Sequence, residues 1–323
     1  MKRYDRQTIL PEVGLQGQLK LGAARVLVIG AGGLGSALLP ALAGAGVGYL
    51  RIYDADFVKE NNLHRQTMYR VSDIGAFKVE CAKATLMQLN PDCKIDVYAE
   101  RISASNVEQT LDGIDVVVDA ADNFAATYVL SDACKIRKIA LISSSVIGRK
   151  GYVGGFCMGA PSYRALFPFL PKADGNCNTQ GVMGPVVAAL GAVQAQMALN
   201  TLLCLAPSPL GLLVSFDFAS WRFTHFRFDH AEEPTSAEFF PFIDRYGLDP
   251  NDCVVDLRSH EEAPENLRAD VLRIAPQDLA NWEPSRRQQR VVFVCKSGIR
   301  ATQAAYQLQA RGYTSLAILA ADL

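Results

Sequence analysis

Apolar and polar positions along this chain fall into blocks that read as strand, loop, helix and strand again. Val26 to Ile29 is an unbroken apolar run, the pattern of a strand buried on both faces. Glycines follow at 30, 32, 33 and 35. Leu34 to Ala45 then predicts a helix that Pro40 kinks and Gly46 and Gly48 end. Tyr49 to Tyr53, Ile95 to Ala99, Ile114 to Asp119 and Ala140 to Ser144 predict four more strands. Between them, Lys78 to Leu89 carries Val79, Ala82, Leu86 and Leu89 at helical spacing and is stopped by Asn90-Pro91. Phe124 to Arg137 predicts another helix, and Tyr4 to Lys20 is helical in part. Alternation at this interval predicts a mostly parallel sheet with helices on both faces.

From Gly151 the texture changes. Tyr152 to Phe156 reads as a strand, Pro161 to Thr179 as a long loop, and Val182 to Leu205 as an apolar helix. Gly184, Pro185, Gln194, Gln196 and Asn200 interrupt that helix, so it reads as a core helix and not a membrane span. Leu212 to Phe228 is aromatic and strand-like, and residues 230–240 read as a linker. Beyond it, Cys253–Leu257, Val271–Ile274, Val291–Val294 and Leu316–Leu319 predict short strands, and Ile299–Arg311 a helix ending at Gly312. Residues 1–229 and 241–323 are thus expected to form a large and a small α/β domain.

Composition adds constraints. Over 323 residues, half are hydrophobic, a fifth are charged, and the net charge is −1, which gives no pull toward nucleic acid or an anionic membrane. Met1 to Arg6 leads into no apolar signal segment. The eight cysteines are scattered, with no Cys-x-x-Cys spacing, so reduced thiols in a cytoplasmic setting are expected.

The candidate chemistry collects after strands. Gly30, Gly32, Gly33 and Gly35 let the backbone turn tightly and approach a phosphate, and the following helix N-terminus favours the anion. Asp54, which lies 24 residues after Gly30, can accept hydrogen bonds from ribose hydroxyls. Up to that point a nicotinamide dehydrogenase fits as well as any other nucleotide enzyme. Further polar and cationic residues separate the readings: Asn61-Asn62-Leu63-His64-Arg65-Gln66, then Lys78, then Asp119-Ala120-Ala121-Asp122-Asn123. Arg and Lys can ring phosphates, and an acid at 122 can hold Mg2+.

At these residues residues 1–229 resemble the ubiquitin-activating-enzyme-like adenylyltransferases of the ThiF/MoeB type. The resemblance rests on Tyr-Asp-Arg-Gln at 4–7, Gly-Ala-Gly-Gly-Leu-Gly at 30–35, Ala-Gly-Val-Gly at 45–48, Asp-Ala-Asp at 54–56, Asn-Leu-His-Arg-Gln at 62–66, Lys78 and Asp-Asn at 122–123. It implies a Rossmann-like doubly wound sheet that binds ATP and Mg2+ and adenylates the C-terminal glycine of a ubiquitin-like sulfur carrier. Gly33 then lies near the phosphates, Asp54 holds the ribose, Asn62, Arg65 and Lys78 contact the phosphates, and Asp56 and Gln66 belong to the same nucleotide site. Asp122, beside Asn123, takes Mg2+, and Arg6 reaches the site from the other subunit of a homodimer. Cys177 falls where relatives place a mobile loop cysteine, and the residues leave open whether it relays sulfur or is a bystander. Relatives also carry two Cys-x-x-Cys pairs for zinc. The first pair's position reads Ser162-Tyr163-Arg164-Ala165 here, so no structural zinc is expected.

In the second domain, Cys295 ends a strand and Lys296-Ser297-Gly298-Ile299-Arg300 curls onto a helix. Backbone N–H groups and the flanking cations Lys296 and Arg300 predict a nest that favours a thiolate or persulfide. The loop, with Asp256-Leu257-Arg258 and Glu261-Glu262, resembles a rhodanese-like sulfurtransferase, which implies a persulfide or thiosulfate donor. A phosphatase cradle competes, but its usual preceding histidine is Val294 here. The domain is abbreviated: the usual Gly-His-Ile-Pro segment is missing between Glu262 and Val271. A carrier-docking module with a degenerate second domain is the non-catalytic alternative.

Overall fold

The computed structural model describes residues 2–170, 181–235 and 238–321. Its larger sheet contains β1 (Arg25–Ile29), β2 (Tyr49–Tyr53), β3 (Lys94–Tyr98), β4 (Val116–Asp119), β5 (Ala140–Ile147), β6 (Lys150–Phe156), β7 (Leu212–Asp217) and β8 (Arg222–Arg227). The order is β3-β2-β1-β4-β5-β6-β7-β8, parallel as far as β5 and antiparallel beyond. The main helices around it are α1 (Gly14–Ala23), α2 (Gly33–Ala45), α3 (Lys78–Leu89), α4 (Phe124–Arg137) and α5 (Gly184–Leu203).

The continuous apolar strands are explained by two cores. Val26 and Val28 of β1 face Leu34 and Leu38 of α2 and Leu190 of α5 on one side, while Leu27 and Ile29 face Val129 and Leu130 of α4 on the other. The helix α5 is long and apolar enough to cross a membrane, yet it is the core helix of this layer, packed against α2, β4, β5 and β6. Chain order runs outward from β1 in one direction and from β4 in the other. The topological switch point therefore lies at the C-terminal ends of β1 and β4, where doubly wound sheets bind ligands.

The smaller sheet, of order β11-β10-β12-β13-β9, is parallel and contains β9 (Phe242–Ile243), β10 (Cys253–Asp256), β11 (Leu272–Arg273), β12 (Val291–Cys295) and β13 (Leu316–Ala320). Helix α6 (Ile299–Gln309) packs on β12 and β13. One apolar cluster continues from α4 through Phe240 and Phe242 into this unit. Phe242 stacks on Tyr128 with centroids 6.0 Å apart, and the Arg164 guanidinium lies 4.7 Å from the Tyr128 ring and 4.2 Å from the Phe239 ring.

Some expectations change. The aromatic stretch 212–228 is two strands, because Asp217 accepts from the N–H groups of Ala219 and Ser220 and turns the chain. Strand β5 runs on to Ile147 because β6 pairs with it as a hairpin. Pro40 sits inside α2 without ending it. The expected loop from Pro161 contains a short helix, Tyr163–Leu166, whose N-cap is Ser162. That stretch is held by polar contacts. Ser162 donates to Glu233 from its N–H at 2.7 Å and its hydroxyl at 2.6 Å, and Arg164 grips Asp132 at 2.7 and 2.9 Å.

Candidate active site

The glycine loop is tight for a steric reason. Gly30 takes φ +99°, and a Cβ there would stand 2.5 Å from the Ala120 carbonyl oxygen, at the end of β4. A Cβ on Gly35 would stand 2.4 Å from the Gly30 oxygen, so helix α2 starts hard against the strand. Gly32 is the N-cap and supplies no side-chain acceptor, which leaves the first-turn N–H groups open to an anion.

The end of β2 is wired to this loop. Asp54 accepts from the Ala31 N–H at 2.8 Å with one oxygen and from the Asp56 N–H at 2.8 Å with the other. Burial raises the Asp54 carboxyl above its ordinary range, against the pull of Lys78 and these donors. Asp56 in turn receives the Lys78 ammonium at 2.8 Å, and the Lys78 side chain is only 6% exposed. Partial burial pushes the Asp56 carboxyl up, but the Lys78 hydrogen bond and charge outweigh it and hold it below the usual range.

Residues 61–66 close the third side. Arg65 is half-buried, bonds the Asn61 carbonyl at 3.2 Å and meets His64 Nε2 at 2.8 Å. Its Cγ comes within 3.6 Å of where a Gly33 Cβ would be. Asn62 donates to Asn61 at 3.2 Å. Gln66 is buried beside Gly32, and its Oε1 has no partner among the described residues. Gly184, which opens α5, is required here because a Cβ would stand 2.6 Å from the His64 carbonyl oxygen. The signal in the sequence was only a glycine before an apolar helix.

The fourth side is the end of β4. Asp122 is exposed, and Asn123 caps α4 by accepting from the Ala125 N–H at 2.9 Å. Asp119, the fully buried acid just before them, opens the polar segment 119–123 that stands out in the sequence. It accepts from Thr127, Ser143 and the Ala121 N–H. The glycines, Asp54, Asp56, Asn62, Arg65, Gln66, Lys78, Asp122 and Asn123 therefore belong to adjoining segments at the switch point.

Two candidates stand elsewhere, and one lies outside the described residues. Arg6 is exposed, and its neighbour Gln7 bonds Ala45 at the far end of α2, roughly 20 Å of helix from Gly33. It does not reach the glycine loop of its own chain. Cys177 lies outside the described residues. Cys295 does sit in a nest, accepting from the N–H groups of Gly298 at 3.1 Å and Ala301 at 3.3 Å. The side chain is fully buried, and burial pushes the thiol up despite these donors and Arg300. Arg300 is engaged by Glu262 at 2.7 and 3.0 Å, and this pairing pushes Glu262 down to about 2. Lys296 is exposed.

A sequence model described as the ThiF family matches residues 4–237. Among curated relatives, the adenylyltransferase and sulfurtransferase MOCS3 of Drosophila grimshawi is 40% identical over 229 residues, covering 70% of this chain and 51% of the relative. That of Aedes aegypti is 41% identical over 218 residues, covering 67% and 50%. The chain thus spans about half the length of the curated relatives it matches. Among solved structures, E. coli MccB with ATP superposes with a TM-score of 0.62 at 20% identity, covering 70% of this chain and 72% of that one. PaaA gives 0.61 at 21% identity, covering 70% and 73%. These structures show the doubly wound fold expected from the sequence, and the family match shows that the chain belongs to the ThiF family.

Proposed function

We propose that the chain adenylates the C-terminal glycine of a ubiquitin-like sulfur-carrier protein and then transfers sulfur to it, as a homodimer. The observation that carries this is the convergence of a glycine loop, an open helix N-terminus, Arg65, Lys78 and Asp122 on one switch point. The curated names of its relatives support the same reading.

The residues fit ATP. The first-turn N–H groups of α2 can donate to a phosphate, and Gly33 is required there because a Cβ would stand 2.6 Å from Val187 of α5. Asp54 presents its remaining lone pairs to the ribose, since each of its oxygens already holds one backbone donor. Lys78 and Arg65 offset the charge that develops when the carrier carboxylate attacks the α-phosphorus and pyrophosphate leaves. Asp122 is the residue that would hold Mg2+, which when bound neutralises phosphate charge. Arg6 enters from a second copy in this reading. No structural zinc belongs to it, since Ser162-Tyr163-Arg164-Ala165 stands where the first pair of cysteine ligands would be.

In the second step, the outer sulfur of a Cys295 persulfide attacks the acyl-adenylate carbonyl and AMP leaves, giving an acyl disulfide. A second thiol, assigned to Cys177, then attacks the Cys295 sulfur and releases the thiocarboxylate, leaving a Cys177–Cys295 disulfide that an external thiol reduces before the next turnover. Mass spectrometry of candidate carriers after incubation with ATP and thiosulfate or a persulfide donor tests the whole reading. Sulfur in place of oxygen at the carrier terminus is expected. Its appearance at undiminished rate with Cys295→Ala would remove Cys295 from the relay.

A further inference from the structure

Asp119 ends β4 fully buried, and no cation is paired with it among the described residues. One carboxylate oxygen accepts the hydroxyls of Thr127 at 2.7 Å and Ser143 at 2.8 Å, and the other accepts the Ala121 N–H at 3.2 Å. Its carbonyl accepts from Gln194 of α5 at 2.7 Å. The titratable groups facing it are Asp122 on its own loop, Cys134 on α4, Tyr152 on β6 and Tyr163 on the short helix, none of them cationic. A buried acid without a counter-charge is costly, and an amide of the same shape would cost less.

What Asp119 touches explains why the cost is borne. Ala121 precedes Asp122, Thr127 lies in the first turns of the helix that Asn123 caps, and the Ala120 carbonyl walls the glycine loop. Gln194 belongs to the helix whose start supports His64 and Arg65. We propose that Asp119 is a positioning residue for adenylation: its ionised carboxylate fixes the turn that carries Asp122 and Asn123. The inference rests on the adenylation reading above.

The charge also gives a signature. Burial pushes the carboxyl up to about 6, so the folded protein holds a proton there that the unfolded chain has lost. Its contribution to stability is therefore present at acid pH and declines as pH rises through about 6, whereas catalysis requires the ionised form. A residue with a merely structural role would not separate the two.

The test uses the full chain and its Asp119→Asn and Thr127→Val/Ser143→Ala variants. Carrier-dependent ATP–pyrophosphate exchange is followed from about pH 5 to pH 9, with the melting temperature alongside. Asp119→Asn is expected to lower kcat about 10- to 100-fold, with KM for ATP within about twofold and an unchanged or higher melting temperature at neutral pH. The wild-type rate is expected to fall below about pH 6 and the variant to lack that limb. The double variant is expected to lower kcat as well, and it carries the test if Asp119→Asn does not fold. A kcat within twofold of wild type in either folded variant, or kcat and melting temperature falling together in Asp119→Asn, overturns the inference. Absence of exchange in the wild type overturns the adenylation reading, and the inference with it.

Discussion

Lys78 owes its place to backbone and side chain at once. Its N–H bonds the Asp56 carbonyl at 3.0 Å, its ammonium bonds the Asp56 carboxylate, and Asp54 fixes the Asp56 N–H. The ammonium is thus held nearly buried at the rim of the glycine loop before any phosphate arrives. Lys78→Ala is expected to reduce carrier-dependent exchange at least about 100-fold while the circular dichroism spectrum is retained. Gly30→Ala acts on the frame instead. It puts a Cβ into a backbone oxygen at positive φ, and urea titration should show a loss of at least about 2 kcal/mol. At Cys295 the prediction concerns pH. Burial raises the thiol, so alkylation by iodoacetamide should be slow at neutral pH and accelerate only above the ordinary thiol range. Fast labelling at pH 7 would contradict the buried, protonated state.

Helix α4 is the element on which the two units meet. Its N-terminus carries the Asn123 cap beside Asp122, and further along it Tyr128 and Asp132 hold Phe242 and Arg164. Arg164 is 6% exposed and grips Asp132 with two nitrogens, so Arg164→Ala should cost about 3 kcal/mol and make residues 163–170 easier to proteolyse. Strands and helices at this scale were legible in the sequence where the pattern was strong: the apolar runs 26–29 and 116–118 and the amphipathic 78–89. What was not legible was made by partners distant in sequence. Strand β9, of two residues, exists only because β13 pairs with it. The role of Ser162 depends on Glu233, 71 residues away. The glycine loop, Asp54 and Lys78 could be picked out because their chemistry sits on local motifs. The role of Asp119 could not, since it lies in Thr127, Ser143 and Gln194.

At the scale of the whole molecule, the second unit is docked and not merely tethered. The α4 core continues into it through Phe240 and Phe242, and Asp244 accepts from the Ser105 N–H at 3.0 Å. Cys295 is buried within the second unit, whereas the acyl-adenylate would form at the switch point of the first. Adenylation is the step on which sulfur transfer depends. Exchange of labelled pyrophosphate into ATP, measured with a ubiquitin-like carrier ending in Gly-Gly, isolates that step from sulfur chemistry. Exchange that requires the carrier and falls at least about 100-fold in Asp122→Ala is the expected result. Exchange that survives Asp122→Ala undiminished would contradict the site, and none in the wild type with any such carrier would contradict the function.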